Sequence, residues 1–220
     1  SMRQQAARIV DRQITMTRTL LSDLLDISRI THGKIELRCE TVDLCRLIDL
    51  VRETTLSEAT SHLQQITWNL PPNPVYVHGD ATRLVQVQVN LVHNALKYSP
   101  QHTDVAVTIA QEGDQATVTV VDYGVGIPPD QLENIFDPFV QIGETVGQSE
   151  GGLGVGLTLV RSLVHAHGGT VTAESQGRGT GTTVRVVLPA VEAAVSQTAR
   201  DMIDSHNARP LTIVLIEDID

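Results

Sequence analysis

The sequence predicts an α+β fold, a two-layer sandwich in which helices cover one face of a sheet, with a long helix in front of it. The stretches "DVAVTIA" and "ATVTVVD" alternate apolar and polar residues with the period of two expected of half-buried strands. Residues 81–98 and 157–167 repeat apolar residues at helical spacing. The strands are joined mostly as hairpins, and strands and helices combined in that way indicate the α+β class.

The elements follow in order. From Ile9 to Ile30, apolar residues recur at helical spacing, and Gly33 followed by Lys34 reads as the stop. This stripe is too wide for one helix to hide. No second long amphipathic helix accompanies it in this reading, so pairing between chains is expected. Residues 66–79, "ITWNLPPNPVYVHG", read as two short extended runs split by a Pro-rich turn. A helix from Ala81 to Tyr98 comes next, then the two alternating strands joined by "QEGDQ". The helix "LTLVRSLVHAH" ends at Gly168-Gly169, and "TVTAES" with "GTTVRVVLP" forms a last hairpin. Beyond Ala190 the pattern fades into a linker, and the chain closes on "LTIVLIEDID", an apolar strand running into acidic residues. Ser1-Met2 has the form of a residue left by a tag, so the natural protein is expected to begin upstream.

Composition excludes several functions. A net charge of −10 argues against a nucleic-acid partner, because phosphate-backbone binders concentrate Lys and Arg on one face. No window approaches the roughly 18 consecutive apolar residues of a membrane span, so this segment is read as soluble, without membrane contact. Cys39 and Cys45 fit neither a disulfide framework nor a metal knuckle and read as ordinary thiols in a reducing cytoplasm.

Winding residues 86–98 at about 3.6 per turn places Gln86, Asn90, His93, Asn94, Lys97 and Tyr98 within one arc of roughly 140°. An exposed helix face is usually Glu, Lys and Arg. Two Asn at i and i+4, poor helix formers, point instead to groups chosen for what they bind. An amide oxygen is a neutral, hard ligand suited to Mg²⁺, and Lys97, one turn on, can reach a phosphate. The strand in "VVDYGVGIP" ends in Asp122, with Gly124 and Gly126 allowing close backbone approach to a flat ligand. A carboxylate there can accept a hydrogen bond from an exocyclic amine, as adenine presents, although an Asx-capped turn explains the same residues. "EGGLGVGLTLV" puts Gly151, Gly152, Gly154 and Gly156 directly before a helix, where free N–H groups and the helix dipole suit phosphate. A P-loop is excluded because Leu157 stands where its Lys belongs, and a dinucleotide fold because no strand precedes the glycines. The stretch from Asp137 to Gly151 reads as a mobile lid.

These blocks resemble the catalytic ATP-binding part of a bacterial sensor histidine kinase of the hybrid type. "QVQVNLVHNALKYS" resembles the N box, "DYGVGIP" the first glycine box, "IFDPF" the phenylalanine box and "GGLGVGL" the second glycine box. "GRGTGTTVRVVLP" is similar to the closing hairpin. The resemblance implies the two-layer sandwich of the histidine kinase, gyrase and chaperone ATPases, with ATP and Mg²⁺ as cofactors. Asn94 would be the main Mg²⁺ ligand with Asn90 beside it, Lys97 would touch phosphate, and Tyr98 would lie along the adenine. Asp122 would read the adenine amine with Thr180 helping through water, and Gly124, Gly126, Gly152, Gly154, Gly156 and Leu157 would complete the nucleotide site.

"LLDISRITHGKIELR" resembles the second helix of the dimerisation and phosphotransfer hairpin, and "IVLIEDID" the first strand and acidic pair of a receiver domain. The implied division is a partial hairpin over 1–38, the catalytic domain over 39–190, a linker over 191–209 and the start of a receiver domain over 210–220. The implied partners are the histidine-bearing helix of the parent kinase, a receiver domain or response regulator, and a second copy in a homodimer. The full protein could be membrane-anchored, with this segment cytoplasmic.

The chain departs from the family at three places. None of its eight histidines stands in the His-Glu context of the phospho-acceptor, so the acceptor is expected to come from elsewhere. Gln86 replaces a Glu of several relatives, and an amide cannot take a proton. The usual aromatic near Thr182 is missing, which predicts a looser hairpin. Two alternatives remain at this stage: an ATPase of the gyrase and chaperone type, which calls for a base at position 86, and a non-catalytic nucleotide-binding dimerisation scaffold.

Overall fold

A computed structural model describes Leu25 and residues 36–141 and 154–192. Apart from Leu25, the expected N-terminal helix lies outside the described residues, as do Gly151, Gly152, most of the 137–151 stretch, the linker beyond residue 192 and the closing strand.

The described chain begins with β1 (Glu40–Asp43) and continues directly into α1 (Leu44–Ser61). This helix corrects the expectation that no second long amphipathic helix is present. Asp43 caps it, accepting from Cys45 N at 2.9 Å. Leu44, Ile48, Val51, Thr55 and Ala59, spaced three or four apart, form its buried face.

β2 (Ile66–Asn69) and β3 (Tyr76–Gly79) are the two extended runs expected on either side of the Pro-rich turn. They do not pair with each other. β3 runs antiparallel to β1 in a separate two-stranded sheet, whereas β2 lies parallel to β4 (Val105–Glu112) at the edge of the main sheet. The intervening α2 (Ala81–Tyr98) supplies the crossover that a parallel pair requires.

β4 and β5 (Gln115–Asp122) make the expected hairpin, and β6 (Thr170–Glu174) and β7 (Thr182–Pro189) the last one. The main sheet has the order β2-β4-β5-β7-β6. β7 pairs with β5 along its whole length, from Gln115 opposite Pro189 to Asp122 opposite Thr182. The β6–β7 hairpin itself is in unbroken register from Thr170 opposite Val187 to Glu174 opposite Thr183, so it is regular in spite of the missing aromatic.

Along β5, Ala116, Val118, Val120 and Asp122 alternate with residues on the other face, and all four are buried. Asp122 is thus a carboxylate set into the last inward position of an otherwise apolar row.

α2 and α3 (Gly156–Ala166) lie antiparallel over the sheet. Gly79, just ahead of α2, closes on His167 at the end of α3, where a Cβ would stand 2.7 Å from the imidazole Cδ2. At the other end, Gly156 faces the Asn90 side chain. His167 fastens the first junction: its Nε2 accepts from Asp80 N at 3.0 Å and its Nδ1 donates to Leu163 O at 2.7 Å. The core between layers is aliphatic, with Ile48, Leu84, Leu91, Leu96, Ile109 and Leu159 fully covered.

After β7, Ala190 bridges to Val77, and Val191 N donates to Tyr76 O at 2.9 Å. The chain therefore enters and leaves the described domain beside the small sheet. That is the Pro189 end of β7, seven residues and roughly 23 Å at about 3.3 Å per residue from the Thr182 end.

Candidate nucleotide site

At the Asp122 and Thr182 end of the sheet, the edges of α2, the turn after β5 and the start of α3 enclose one pocket. Its floor is Val120, Asp122, Thr182 and Val184, and α2 contributes Leu91, Asn94, Ala95 and Tyr98. Val125, Gly126 and Ile127 form one wall, and Ile135, Val140 and Leu157 close the other. The lining is apolar apart from a few convergent polar groups, as small-molecule sites are.

Asp122 Oδ1 accepts Gly124 N at 2.8 Å and Thr182 N at 3.1 Å. The first bond is the Asx turn that a purely structural reading demands. Both bonds fall on the same oxygen, so among the described residues Oδ2 has no partner, and the carboxylate lines the pocket. Burial pushes the Asp122 carboxyl above the usual carboxylate range, and the two N–H bonds offset this only in part. Glycine is required at 124, because a Cβ would stand 2.3 Å from Tyr98 O.

Asn90 and Asn94 meet at the first turn of α3. A Cβ on Gly156 would come 3.4 Å from Asn90 Oδ1 and 3.9 Å from Asn94 Nδ2. α3 has no side-chain cap at Val155 and no acidic residue in its first turn. Among the described residues no side chain caps its leading N–H groups, and Gly156 at its start faces the amide pair. Carboxamide side chains beside a helix N-terminus suit a magnesium-bound phosphate in donor chemistry.

The remaining candidates are placed as follows. Lys97 is not in the pocket lining; its Nζ lies over the ring of Tyr98, which is, at 4.9 Å from the centroid. Gln86 lies off the pocket, its Oε1 accepting from Arg83 Nη1 at 2.8 Å. His93 contacts Glu58 of α1, and burial lowers its pKa. Thr180 is exposed, and its hydroxyl donates to Gly177 O at 2.8 Å; Thr182 is the threonine in the lining. Gly154, at φ +71°, accepts Phe139 N through its carbonyl at 3.2 Å. Arg161 of α3 pairs with Asp137 at 2.9 Å and ties down the turn that carries "IFDPF".

Sequence reasoning missed the apolar walls, Leu91, Ala95, Ile127, Ile135 and Val184, and the backbone donor Thr182 N. Alternation along β5 and β7 was the available signal for Val120 and Val184. Nothing local in the sequence marks Thr182 N, 60 residues on, as a ligand of Asp122.

Comparisons with known proteins bear on the family and the fold. Residues 79–192 match the family described as Histidine kinase-, DNA gyrase B-, and HSP90-like ATPase. Sensor histidine kinase WalK of Bacillus subtilis (strain 168) is 33% identical over 172 residues, which cover 77% of this chain and 28% of WalK. Histidine protein kinase DivJ of Caulobacter vibrioides is 36% identical over 170 residues, with the same 77% and 28% coverage. This chain thus spans less than a third of the length of either relative. Among solved structures, full-length ShkA in complex with AMPPNP superposes with a TM-score of 0.69 at 30% identity, over 80% of this chain and 36% of ShkA. The mycobacterial sensor histidine kinase MprB gives 0.60 at 28% identity, over 69% of this chain and 97% of that one. With a family match running from β3 through β7 and the pocket built inside it, the chain belongs to the histidine kinase-, DNA gyrase B- and HSP90-like ATPases, in the form that serves sensor histidine kinases as their ATP-binding catalytic module.

Proposed function

We propose that this chain binds Mg·ATP in the pocket above Asp122 and transfers the γ-phosphoryl group to a histidine carried by another segment of its parent, a two-component kinase of the hybrid type. The observation that carries the reading is the buried Asp122 carboxylate, which has one oxygen held by two N–H groups and the other free toward an apolar slot. A carboxylate in that setting selects a flat base with an exocyclic amine. Tyr98, Val125 and Ile127 offer that base an apolar surround.

In this reading Asn94 and Asn90 hold Mg²⁺ through their amide oxygens, and the ion supplies charge neutralisation for the triphosphate. The open N-terminus of α3 orients phosphate oxygens, and Lys97 exchanges the Tyr98 ring for a phosphate contact. The protein's task is then positioning and charge compensation, which suits a loose phosphoryl-transfer transition state. Gln86 has no proton-accepting capacity and its oxygen is engaged by Arg83, so direct hydrolysis of the gyrase type is disfavoured.

The "LLDISRITHGKIELR" stretch fits a dimerising hairpin helix, and "IVLIEDID" fits the start of a receiver domain. No described helix is long and apolar enough to cross a membrane. A cytoplasmic location for this segment follows from the proposed use of ATP.

Magnesium-dependent ATP titration is the first test. Asn94→Ala is expected to weaken binding roughly tenfold or more in magnesium and little in its absence; equal affinities would remove Asn94 from the metal site. A second test uses γ-labelled ATP. Alone, the chain is expected to acquire no acid-labile label, and a hairpin fragment carrying the parent's acceptor histidine is expected to become labelled. Strong self-labelling would place the acceptor in this chain.

A further inference from the structure

The loop between β6 and β7, "SQGRGTG", packs against the turn that follows Asp122. Three contacts join them. Gly179 N donates to Val125 O at 2.7 Å, Gly181 N donates to Gly124 O at 3.2 Å, and Ile127 N donates to Ser175 Oγ at 2.9 Å. The loops are so close that a Cβ on Gly126 would stand 2.0 Å from Gly177 O.

Within this seam the Ser175 side chain bonds to both loops at once. Its hydroxyl accepts from Ile127 N and donates to Gly181 O at 2.7 Å. Each loop in turn sends one N–H to the Asp122 carboxylate, Gly124 N from the first and Thr182 N, next to Gly181, from the second. The direction of Oδ2 therefore depends on the spacing of the two loops, and the Ser175 hydroxyl holds that spacing together with the Gly179 and Gly181 backbone bonds.

We infer that Ser175 is a positioning residue of the nucleotide pocket, clasping the two glycine loops so that Asp122 meets the exocyclic amine of an adenine base. The inference rests on the nucleotide-binding reading above and adds to it a specificity determinant that touches no part of the ligand. Alanine at 175 would leave Ile127 N without its acceptor and Gly181 O without its donor, freeing the loops to drift apart by small amounts. Such drift weakens the directional hydrogen bond from Asp122 more than the apolar contacts around the base, because a hydrogen bond depends on angle as well as distance.

The test compares Ser175→Thr with Ser175→Val in the full chain. The two replacements have nearly the same shape and differ in the hydroxyl. Affinity is measured for Mg·ATP and for the Mg²⁺ complex of purine riboside triphosphate, which lacks the exocyclic amine. Ser175→Thr is expected to keep the wild-type preference for ATP, whereas Ser175→Val is expected to bind ATP about tenfold more weakly and the amine-free analogue about as well as wild type. A general loosening of the fold would lower both affinities together and leave their ratio unchanged. Equal ratios in the two variants would overturn the positioning role while leaving the ATP site standing. Failure of the wild-type chain to bind ATP would bring down the functional reading itself, and this inference with it.

Discussion

Asp122→Asn is expected to lose adenine-nucleotide binding by roughly a hundredfold or more, while the folded chain melts no lower than wild type. The two halves of this result come from different atoms of one side chain. An amide oxygen in the place of Oδ1 continues to accept Gly124 N and Thr182 N, so the turn and the start of β7 keep their anchor. An amide nitrogen in the place of Oδ2 presents a donor to the donor amine of adenine, and two donors facing each other in a buried pocket leave both unpaired.

The stability half follows from the carboxyl's raised pKa, which burial causes and the two N–H bonds reduce. A group whose pKa is higher folded than unfolded contributes stability that is complete below its unfolded value and is lost as pH rises through its folded value. At neutral pH the ionised Asp122 is therefore a burden on folding that a neutral amide does not carry. The stability advantage of Asp122→Asn over wild type should accordingly narrow as pH falls toward the ordinary carboxylate range. Isothermal titration with Mg·ATP and thermal melts at neutral and acid pH read the two halves separately. Retained ATP affinity would refute the recognition role, and a large loss of stability at neutral pH would show the charge to be structural.

What the sequence revealed and what it concealed divide along local and non-local physics. α2 was legible to its end residues because its start is capped by Asp80, its apolar face is continuous and Pro100 follows its last turn. The adjoining polar stripe was legible because asparagine in a helix needs a reason. α1 was not. Leu50 and Leu56 lie on its outer side, 52% and 65% exposed, while Thr55 is buried with its hydroxyl returned to Val51 O, so the apolar stripe is blurred on both faces. The parallel pairing of β2 with β4 was hidden for another reason. A short apolar run records that it will be buried, and pairing across 39 residues of chain, from Ile66 to Val105, is decided by tertiary packing. The same division runs through the site. Asp122 and its glycines announce themselves, whereas Ser175 acts through its shortest bonds, to the backbone of Ile127 and Gly181, and leaves no pattern.

Gly181→Ala is expected to destabilise the fold by about 2–4 kcal/mol more than Gly113→Ala and to weaken ATP binding as well. Both glycines adopt positive φ, +74° at Gly181 and +60° at Gly113, so each alanine meets a similar intrinsic cost of about 1–2 kcal/mol in the left-handed region. Their surroundings differ. The Gly113 turn joins β4 to β5 with nothing within 4 Å of an added Cβ, so the intrinsic cost should be the whole effect. At Gly181 the Cβ would fall 2.1 Å from Asp122 O and 2.9 Å from Tyr123 Cα, both main-chain atoms that no rotamer change can move aside. Relief requires β5 and β7 to separate at their Asp122 end, which strains the Gly181 N bond to Gly124 O and the Ser175 bond to Gly181 O together. The carboxylate that recognises the base moves with that backbone. Urea unfolding of the two variants gives the stability difference, and ATP titration under native conditions gives the binding effect. Equal losses of stability would mean that β5 and β7 part easily at this corner, and a Gly181→Ala chain with wild-type ATP affinity would mean that the position of Asp122 does not depend on their contact.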